Sequence, residues 1–461
     1  MKRILIALAL LLSACTLSSA QSFRSGYFLP DYDYRYRLNP AFTGNEFIAT
    51  FLGQETVSLR SPLSLKNFIF PAQDGESLVT GLHGSVDDDL FLTPLNNKLN
   101  PVIVEQDLTL FARGINRGNI HHIIDVSLRS GAAVNIPYDT FVFLKTGTLR
   151  QDHFDMKDLF VKTHTWLELS YGQTWDLTER LSVGARLKGL IGLSYVSVHA
   201  RQLDMNLSED KWELHSNMDL EVAGHFIDLK MNTQKDKETG EEVETNEVDL
   251  GSLDYSIFKL NGFHGLGASL DLGVEWKPID GLSVSAAVLD FGGLKWFDYM
   301  YARTPAVDFV YDPLHTAENP DPNNNSINNL GNIARFIRQD RKKNSFDWMT
   351  ATLLTGAQYR MPFWDKMDVG LLGLYKVDNL FNWWETRASV NIAPWKWFSM
   401  SVTGGRNTYG WEYGGVMNFN TGLVSIFLGT DSISLMREIT PQGIPLSQLN
   451  FNLTVGLSIN L

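Results

Sequence analysis

Hydrophobic and polar residues alternate without exception over residues 451–461, at the end of the sequence. The apolar positions are the odd-numbered ones, and the residues between them are Asn452, Thr454, Gly456, Ser458 and Asn460. Successive side chains of a strand point to opposite faces, so one face here is apolar and the other polar or small. About 9–11 tilted residues cross a bilayer as a strand, and this alternation is typical of transmembrane barrels. An amphipathic strand of a soluble sandwich is the alternative.

The same alternation recurs upstream and predicts an all-β fold, a transmembrane antiparallel β-barrel of about 14 strands with an N-terminal plug-like segment. The predicted strands are 46–60, 104–114, 122–130, 165–174, 181–187, 268–276, 282–288, 349–359, 369–377, 384–392, 398–404, 411–419, 423–429 and 451–461. Residues 203–207 and 212–222 either add a pair, which makes 16 strands, or project above the membrane as a ribbon. In the closing strand, we expect a charge at Leu457 to cost far more than one at Ser458, which faces the lumen.

The connections between the predicted strands fall into two classes. Short turns lie on one side together with the end of the sequence, and long excursions lie on the other. Outer-membrane barrels have short periplasmic turns and longer outside loops. The predicted periplasmic turns are 176–180, 278–281, 362–367, 394–397 and 420–422, and the outside excursions include 290–346 and 430–449.

The first twenty residues are predicted to be a secretory signal, with Lys2 and Arg3 before an apolar core. Cleavage after Ala20 would leave Gln21 first and no lipid. The alternative is a lipobox that ends at Cys15, the single cysteine, which would then be lipidated. The chain is thus divided into a signal peptide (1–20), an N-terminal segment with the first strand and a candidate lumen plug (21–100), and the remainder of the outer-membrane barrel (101–461).

Composition narrows the class further. Aromatic residues make up 12 % of the chain and there are 37 glycines, which suits strands, tight turns and interfacial aromatic girdles. The formal net charge of −13 argues against a nucleic-acid partner. After the first twenty residues there is no run of 18 apolar residues, so a helical span is not predicted.

Several stretches resemble an uncharacterised family of Bacteroidetes outer-membrane barrels, known only as a domain of unknown function. They are Arg37 to Ala41, 47–53, 64–71, Gly81 to His83, Asp89 to Leu92, 282–296 and 415–431. This family is in turn distantly similar to barrels of the long-chain fatty-acid transporter type. The resemblance implies an architecture and a place in the outer membrane of a Gram-negative bacterium, without an established activity.

Four segments lack a clear strand pattern. Residues 66–100 resemble the N-terminal piece that plugs the lumen in barrels of the transporter type, with a mobile periplasmic segment as the alternative. Residues 137–147 predict a short helix or a buried apolar loop. Residues 235–249 are strongly acidic and predict an exposed disordered or ribbon-tip loop. Residues 333–343 predict a short basic helix on the outer surface that binds anionic glycolipid, or a solvated loop.

The sequence contains no catalytic, cofactor-binding or zinc motif, so we expect a protein that is not an enzyme and has no cofactor. Charges on the polar faces of the strands predict a lumen-lining network made of Glu168, Arg186, Lys188, Asp271, Glu275, Glu385 and Arg387. Paired carboxylates are the alternative for Glu168, Asp271 and Glu275. The tryptophans at positions 383, 384, 395 and 397 are predicted to form part of an interfacial girdle.

Two functions remain after these exclusions. The first is passive transport of small hydrophobic molecules, by analogy of fold. The second is a structural or docking barrel for a surface, periplasmic or secretion-machinery partner. An apolar, laterally open lumen would favour transport, and a lumen filled by charges and a plug would favour docking. Outer-membrane lipid is the one partner that both functions require.

Overall fold

The computed structural model describes residues 23–50, 53–72, 77–224, 227–228, 230–235, 240–250, 254–255, 262–297, 300–311, 335–339, 345–377, 382–433 and 450–461. The predicted signal sequence, Cys15 and most of the predicted basic helix lie outside these residues. In the part of that helix that is described, Ile337–Arg338 forms a short strand, so the helix prediction is wrong there.

Fourteen antiparallel strands close into a barrel, as predicted, and the 16-strand alternative is not observed. The strands are β1 (Phe47–Thr50 continued by Gln54–Arg60), β2 (Leu99–Arg117), β3 (Ile120–Pro137), β4 (Phe160–Thr178), β5 (Leu181–Leu207), β6 (Gly265–Ile279), β7 (Leu282–Trp296), β8 (Ser345–Trp348 continued by Ala351–Arg360), β9 (Met367–Val377), β10 (Trp383–Trp395), β11 (Phe398–Asn407), β12 (Gly410–Asn420), β13 (Val424–Ile433) and β14 (Phe451–Asn460). Each strand pairs with its neighbours in sequence.

The barrel closes because β14 pairs with β1. Phe47 lies opposite Asn460, and Gln54 lies opposite Gly456. An even number of strands lets the first and last strands meet antiparallel. No open edge therefore remains between the two ends of the barrel sheet.

The predicted register of β14 is confirmed. Its odd-numbered apolar side chains are exposed on the outside of the barrel, whereas Asn452, Thr454 and Ser458 are buried on the inside. Apolar residues face outward on the other strands too, for example Leu187, Leu371 and Leu428. The barrel thus has the apolar outer face that a bilayer requires.

The two ends of the barrel differ, and we name them by their connections. The turn end carries the short connections that follow β2, β4, β6, β8, β10 and β12, together with the start of β1 and the end of β14. The loop end carries the long connections after β1, β3, β5, β7 and β13. One expectation fails at the loop end, where β11 and β12 continue beyond their predicted limits and only Thr408 and Tyr409 connect them.

Short elements at the loop end complete the fold. The strands are Ile69–Pro71, Leu78–Thr80, His153–Asp155, Trp212–Gly224, Ile227–Asp228, Met231–Lys235, Glu242–Val248, Asp254–Tyr255, Met300–Arg303, Val307–Tyr311 and Ile337–Arg338. The helices at this end are α1 (Asp88–Leu92), α2 (Tyr138–Thr146) and the 3₁₀ turn Leu65–Asn67, whereas the 3₁₀ turns Arg24–Gly26 and Asp33–Arg37 lie inside the barrel. In the described parts of the chain, no helix is long and apolar enough to span a membrane.

Residues 66–72 and 77–98 lie at the loop end rather than inside the barrel or at the turn end. Phe70, Phe91 and Leu92 pack against Phe141 of α2 in a buried apolar cluster. The reason is topological, because β1 runs from the turn end to the loop end and delivers the chain there. Of the two structures predicted for 137–147, the helix is correct.

Of the acidic stretch 235–249, residues 235 and 240–249 are described, and most of them lie in two paired antiparallel strands, Met231–Lys235 and Glu242–Val248. The acidic side chains of this ribbon are mostly exposed, whereas Val248 at its base is buried. The described residues therefore form a two-stranded ribbon with a buried base, and the predicted tip at 236–239 lies outside the described residues.

Replacing residues 234–244 with a short Gly-Ser linker should change the free energy of unfolding by no more than about 0.5 kcal/mol, because exposed positions contribute little. Detergent-solubilised barrel can be unfolded by heat and followed by the gel shift between boiled and unboiled samples. The control replaces residues 88–92 in the same way and removes buried Phe91, so it should destabilise the protein clearly. Equal effects of the two replacements would contradict the prediction.

Candidate functional site

The first part of the predicted N-terminal region, residues 23–42, lies inside the barrel. From here on, the name N-terminal segment means these residues alone. Its aromatic side chains are buried and pack edge-to-face, with the Tyr32 ring 4.9 Å from that of Phe427 on β13 and 5.8 Å from that of Phe23. Tyr34 donates a hydrogen bond to the carbonyl of Leu457 on β14. Offset and edge-to-face aromatic pairs stabilise packing beyond the area that they bury. The lumen is thus packed in the manner of a protein core.

Glycines on the inner face of the wall provide the room for this segment. A Cβ added at Gly184 of β5 would overlap the carbonyl of Pro40, and one added at Gly429 of β13 would overlap the ring of Phe23. Close approach of a second backbone is one of the purposes that glycine serves in a strand. Glycine at these positions of the strands therefore leaves the space that the N-terminal segment occupies.

The first ion-pair network joins the N-terminal segment to β2–β7. Arg186 of β5, only 1 % exposed, contacts Asp125, Glu168 and Asp271. The other cations are Arg37, which lies 2.9 Å from Asp107; Arg129, which contacts Asp107, Glu168 and Asp290; and Lys188, which contacts Asp271 and Asp290. Each carboxylate is therefore paired with at least one cation, an arrangement suited to filling a lumen.

A second ion-pair network lies nearer the loop end, around the other predicted charges. Arg387 of β10 contacts Glu385 and Glu412, and Arg24 of the N-terminal segment lies 2.9 Å from Glu385 and 3.1 Å from Asp431. The backbone N–H of Ser25 also donates to Asp431, at 2.7 Å. The beginning of the segment is thus held by buried, charge-assisted hydrogen bonds.

The structure brings six of the seven predicted lumen residues into these two networks. Glu275 lies apart, near the turn end, where it accepts a hydrogen bond from Ser283 at 2.7 Å and lies 3.7 Å from Lys277. The paired-carboxylate alternative is not favoured, because Glu168 and Asp271 are each shared with cations.

Sequence reasoning missed several members of the networks. Asp125 and Arg129 alternate with apolar residues on a predicted strand, so their inward direction was readable. Asp107 lies on a predicted strand as well, whereas Asp290 falls in the predicted outside excursion 290–346, because β7 continues to Trp296, beyond its predicted limit. Arg24 and Arg37 carried no such signal, because the N-terminal segment has no strand periodicity and its place in the lumen depends on tertiary packing.

The tryptophan prediction is wrong for Trp383. Trp384, Trp395 and Trp397 are exposed on the outside, as a girdle requires, but Trp383 is buried. Adjacent residues of a strand face opposite sides, so Trp383 and Trp384 cannot both face lipid. The inward ring has Arg24 at 5.0 Å, Arg60 at 5.2 Å and Lys376 at 5.0 Å from its centroid.

The turn end carries two adjacent histidines, which have polar partners of ordinary kinds. His121 is bonded to Asn116, and His122 lies 2.9 Å from the hydroxyl of Tyr171 at the turn end. Among the described residues, no group of three or more His, Cys, Asp or Glu side chains is placed to hold a metal ion. A mostly polar, open cavity of about 590 Å³ lies at the turn end, lined in part by Asp31, Glu46 and Lys396.

A closed antiparallel sheet with an apolar outer face and a charged, filled lumen defines a transmembrane β-barrel. This chain belongs to the family of unknown function DUF5723, whose sequence profile matches residues 40–431.

Solved structures with a similar arrangement of strands are outer-membrane barrels of low sequence identity. The toluene transporter TodX of Pseudomonas putida is 9 % identical, with 92 % of each chain covered and a TM-score of 0.41. The toluene transporter TbuX of Ralstonia pickettii is 10 % identical, with 97 % of this chain and 96 % of that chain covered and a TM-score of 0.42. A Pseudomonas aeruginosa FadL homologue is 10 % identical, with 96 % of each chain covered and a TM-score of 0.40. No curated protein matches the sequence.

Proposed function

We propose that the protein is an outer-membrane barrel of a Gram-negative bacterium that is closed at rest and serves as a structural or docking barrel for a protein partner at the cell surface. The observation that carries this proposal is the filled lumen. The N-terminal segment is buried among aromatic rings and two ion-pair networks that reach strands on all sides of the barrel. A packed interior of this kind supports a closed barrel with the segment as its plug.

The loop end supports the docking function. β5 has 27 residues, well beyond the 9–11 that cross a bilayer, and pairs beyond the barrel with Trp212–Gly224. That outer strand also pairs with Met300–Arg303 and Val307–Tyr311. The outer strands bury Leu220, Val222, Val248, Ala302 and Phe336 in a cluster of their own. A folded platform of this size outside the membrane is a suitable binding surface for a protein.

Ion pairs stiffen the platform. Burial disfavours the charged form of Asp219, but hydrogen bonds from Arg303, Tyr301 and Arg201 outweigh that effect and hold the pKa of this carboxyl below its usual value. The side chain is therefore ionised at neutral pH and joins three strands of the platform.

Purified wild-type protein should show no conductance in planar bilayers, and release of the plug should open the barrel. A protease site inserted at residues 43–45, which are partly exposed at the turn end, allows the plug to be cut from a barrel that has already folded. Stepwise conductance should follow cleavage and washing in mild denaturant. The matched control carries the same protease site within residues 236–239 of the acidic ribbon and should stay silent after cleavage. Conductance of the uncut wild type would contradict a closed barrel.

Passive transport of small hydrophobic molecules is the second candidate, and one observation favours it. The backbone hydrogen bonds of residues 23–42 are local, such as Tyr27 to Arg24 and Leu38 to Arg35, and none in the described structure joins their backbone to that of a barrel strand. The plug can therefore move without loss of any sheet hydrogen bond. Uptake of a hydrophobic fluorescent dye by proteoliposomes that contain the uncut protein would favour transport, and uptake no faster than in empty liposomes would favour docking.

A further inference from the structure

A group of cations surrounds Trp383 at the loop end of the lumen. Lys376 of β9 lies directly opposite Trp383 of β10 in the strand register, and Arg60 approaches the same ring from the end of β1. Arg24 reaches it from the N-terminal segment. We call Lys376, Trp383 and Arg60 the cation–tryptophan cluster.

Each member of this cluster has a buried hydrogen-bond donor without an acceptor among the described residues. Lys376 Nζ, Arg60 Nε and Trp383 Nε1 are all buried and without a hydrogen-bond partner in the described structure. Lys376 is only 2 % exposed. Burial of polar donors without acceptors is costly, and native proteins pair nearly all of them.

The charges of the cluster are unevenly compensated. Arg24 contacts Glu385 and Asp431, and Arg60 contacts Glu105. Lys376 makes no ion pair with a described carboxylate, although two guanidinium groups share the tryptophan ring with it. Cation–π attraction to the Trp383 ring offsets part of the cost of burying the Lys376 ammonium group, but the ring accepts no conventional hydrogen bond from it.

We propose that the cation–tryptophan cluster is a binding site for a small oxyanion of the phosphate class. The three free donors come from three strands, β1, β9 and β10, and meet around one tryptophan ring. An oxyanion of the phosphate class offers several charged acceptor oxygens, so each donor can bond to an oxygen of its own. Lysine supplies the point charge, and the free Nε–H of Arg60 supplies a second charged donor. The enclosed position fits a free ion rather than the headgroup of a lipid.

Titration calorimetry on the full-length barrel in non-ionic detergent, with chloride held constant, tests this site with inorganic phosphate. The wild type should bind phosphate, and Lys376→Met should weaken binding by about ten- to hundredfold, the usual value of a hydrogen bond to a charged group. Lys277→Met is the matched control, because Lys277 is half exposed at the opposite end of the barrel. It should bind phosphate as the wild type does.

Thermal unfolding separates a binding role from a structural one. Without phosphate, Lys376→Met should unfold at a higher temperature than the wild type, since it removes a buried unpaired cation. With phosphate, the wild type should gain stability and the variant should not. A wild type that phosphate leaves unchanged, or equal gains in both proteins, would overturn the proposal.

Two further ligands define the class and the source of the anion. Sodium chloride at matched ionic strength should not replace phosphate, and stabilisation by chloride alone would overturn the assignment to oxyanions. Short-chain phosphatidic acid should not compete with phosphate. Binding of the lipid in the absence of any binding of inorganic phosphate would show a headgroup site and overturn the assignment to a free ion.

Discussion

Replacement of Arg186 by methionine should lower the free energy of unfolding by about 3–5 kcal/mol, the usual cost of removing one partner from a buried ion pair. Arg186 contacts three carboxylates, those of Asp125, Glu168 and Asp271, and donates a hydrogen bond to Ser170 at 2.9 Å. Methionine fills much of the same volume, so the loss is one of charge and hydrogen bonding. Denaturant unfolding in detergent, followed by tryptophan fluorescence, measures it.

Arg180→Met is the matched control for this prediction. Arg180 also pairs with a carboxylate, lying 3.3 Å from Asp280, but that pair is exposed at the turn end. Exposed pairs contribute about 0–1 kcal/mol, so the control should unfold almost as the wild type does. If Arg186→Met were no worse than Arg180→Met, the lumen network would be hydrated rather than buried.

An arginine at Leu457 should destabilise the barrel by about 2–4 kcal/mol, because that side chain faces outward near the middle of β14. Leu457 is 39 % exposed on a surface that otherwise carries Leu453, Val455 and Ile459. The measurement is the fraction of heat-modifiable barrel recovered after refolding into lipid vesicles, over a series of denaturant concentrations.

Leu457→Met keeps an apolar side chain at the same place and should fold as well as the wild type. Ser458→Arg, which the alternation alone would make the mild comparison, is unsuitable because Ser458 donates a hydrogen bond to Asp33 in the filled lumen. If Leu457→Arg and Leu457→Met recovered equally, Leu457 would not face lipid.

Much of the barrel was readable from the sequence because strand alternation is local. In β14 each residue is apolar or polar according to the face it occupies, and lipid on one side enforces that rule strictly. The same rule located Glu168, Arg186, Lys188 and Asp271 on the inner face. The number of strands between a connection and β14 predicted the end at which that connection lies, because consecutive strands run in opposite directions.

The contents of the lumen were not readable in this way. Tyr32, Tyr34 and Arg37 lie in a stretch with two 3₁₀ turns and no period. Their partners are remote along the chain, since Arg37 bonds to Asp107, 70 residues further on, and Tyr34 bonds to Leu457, 423 residues further on. The prediction for Trp383 was wrong because it relied on residue type, and tryptophan is common at membrane interfaces. Trp383 is two and four residues from Glu385 and Arg387, so it lies on the same inner face of β10 as they do. Where residue type and position along a barrel strand predict different faces, position determines the face, because the backbone geometry fixes the alternation.

The place of the N-terminal segment sets the order in which the molecule can assemble. Asp33 is bonded to Ser458, which is 425 residues further along the chain. The wall is complete only when β14 pairs with β1, so residues 23–42 must enter the ring before, or while, β14 joins it. During synthesis residues 23–42 therefore have no finished lumen to enter until β14 has been made. Such non-local closure is slow and leaves the aromatic beginning of the chain exposed to aggregation, so both ends require protection until they meet.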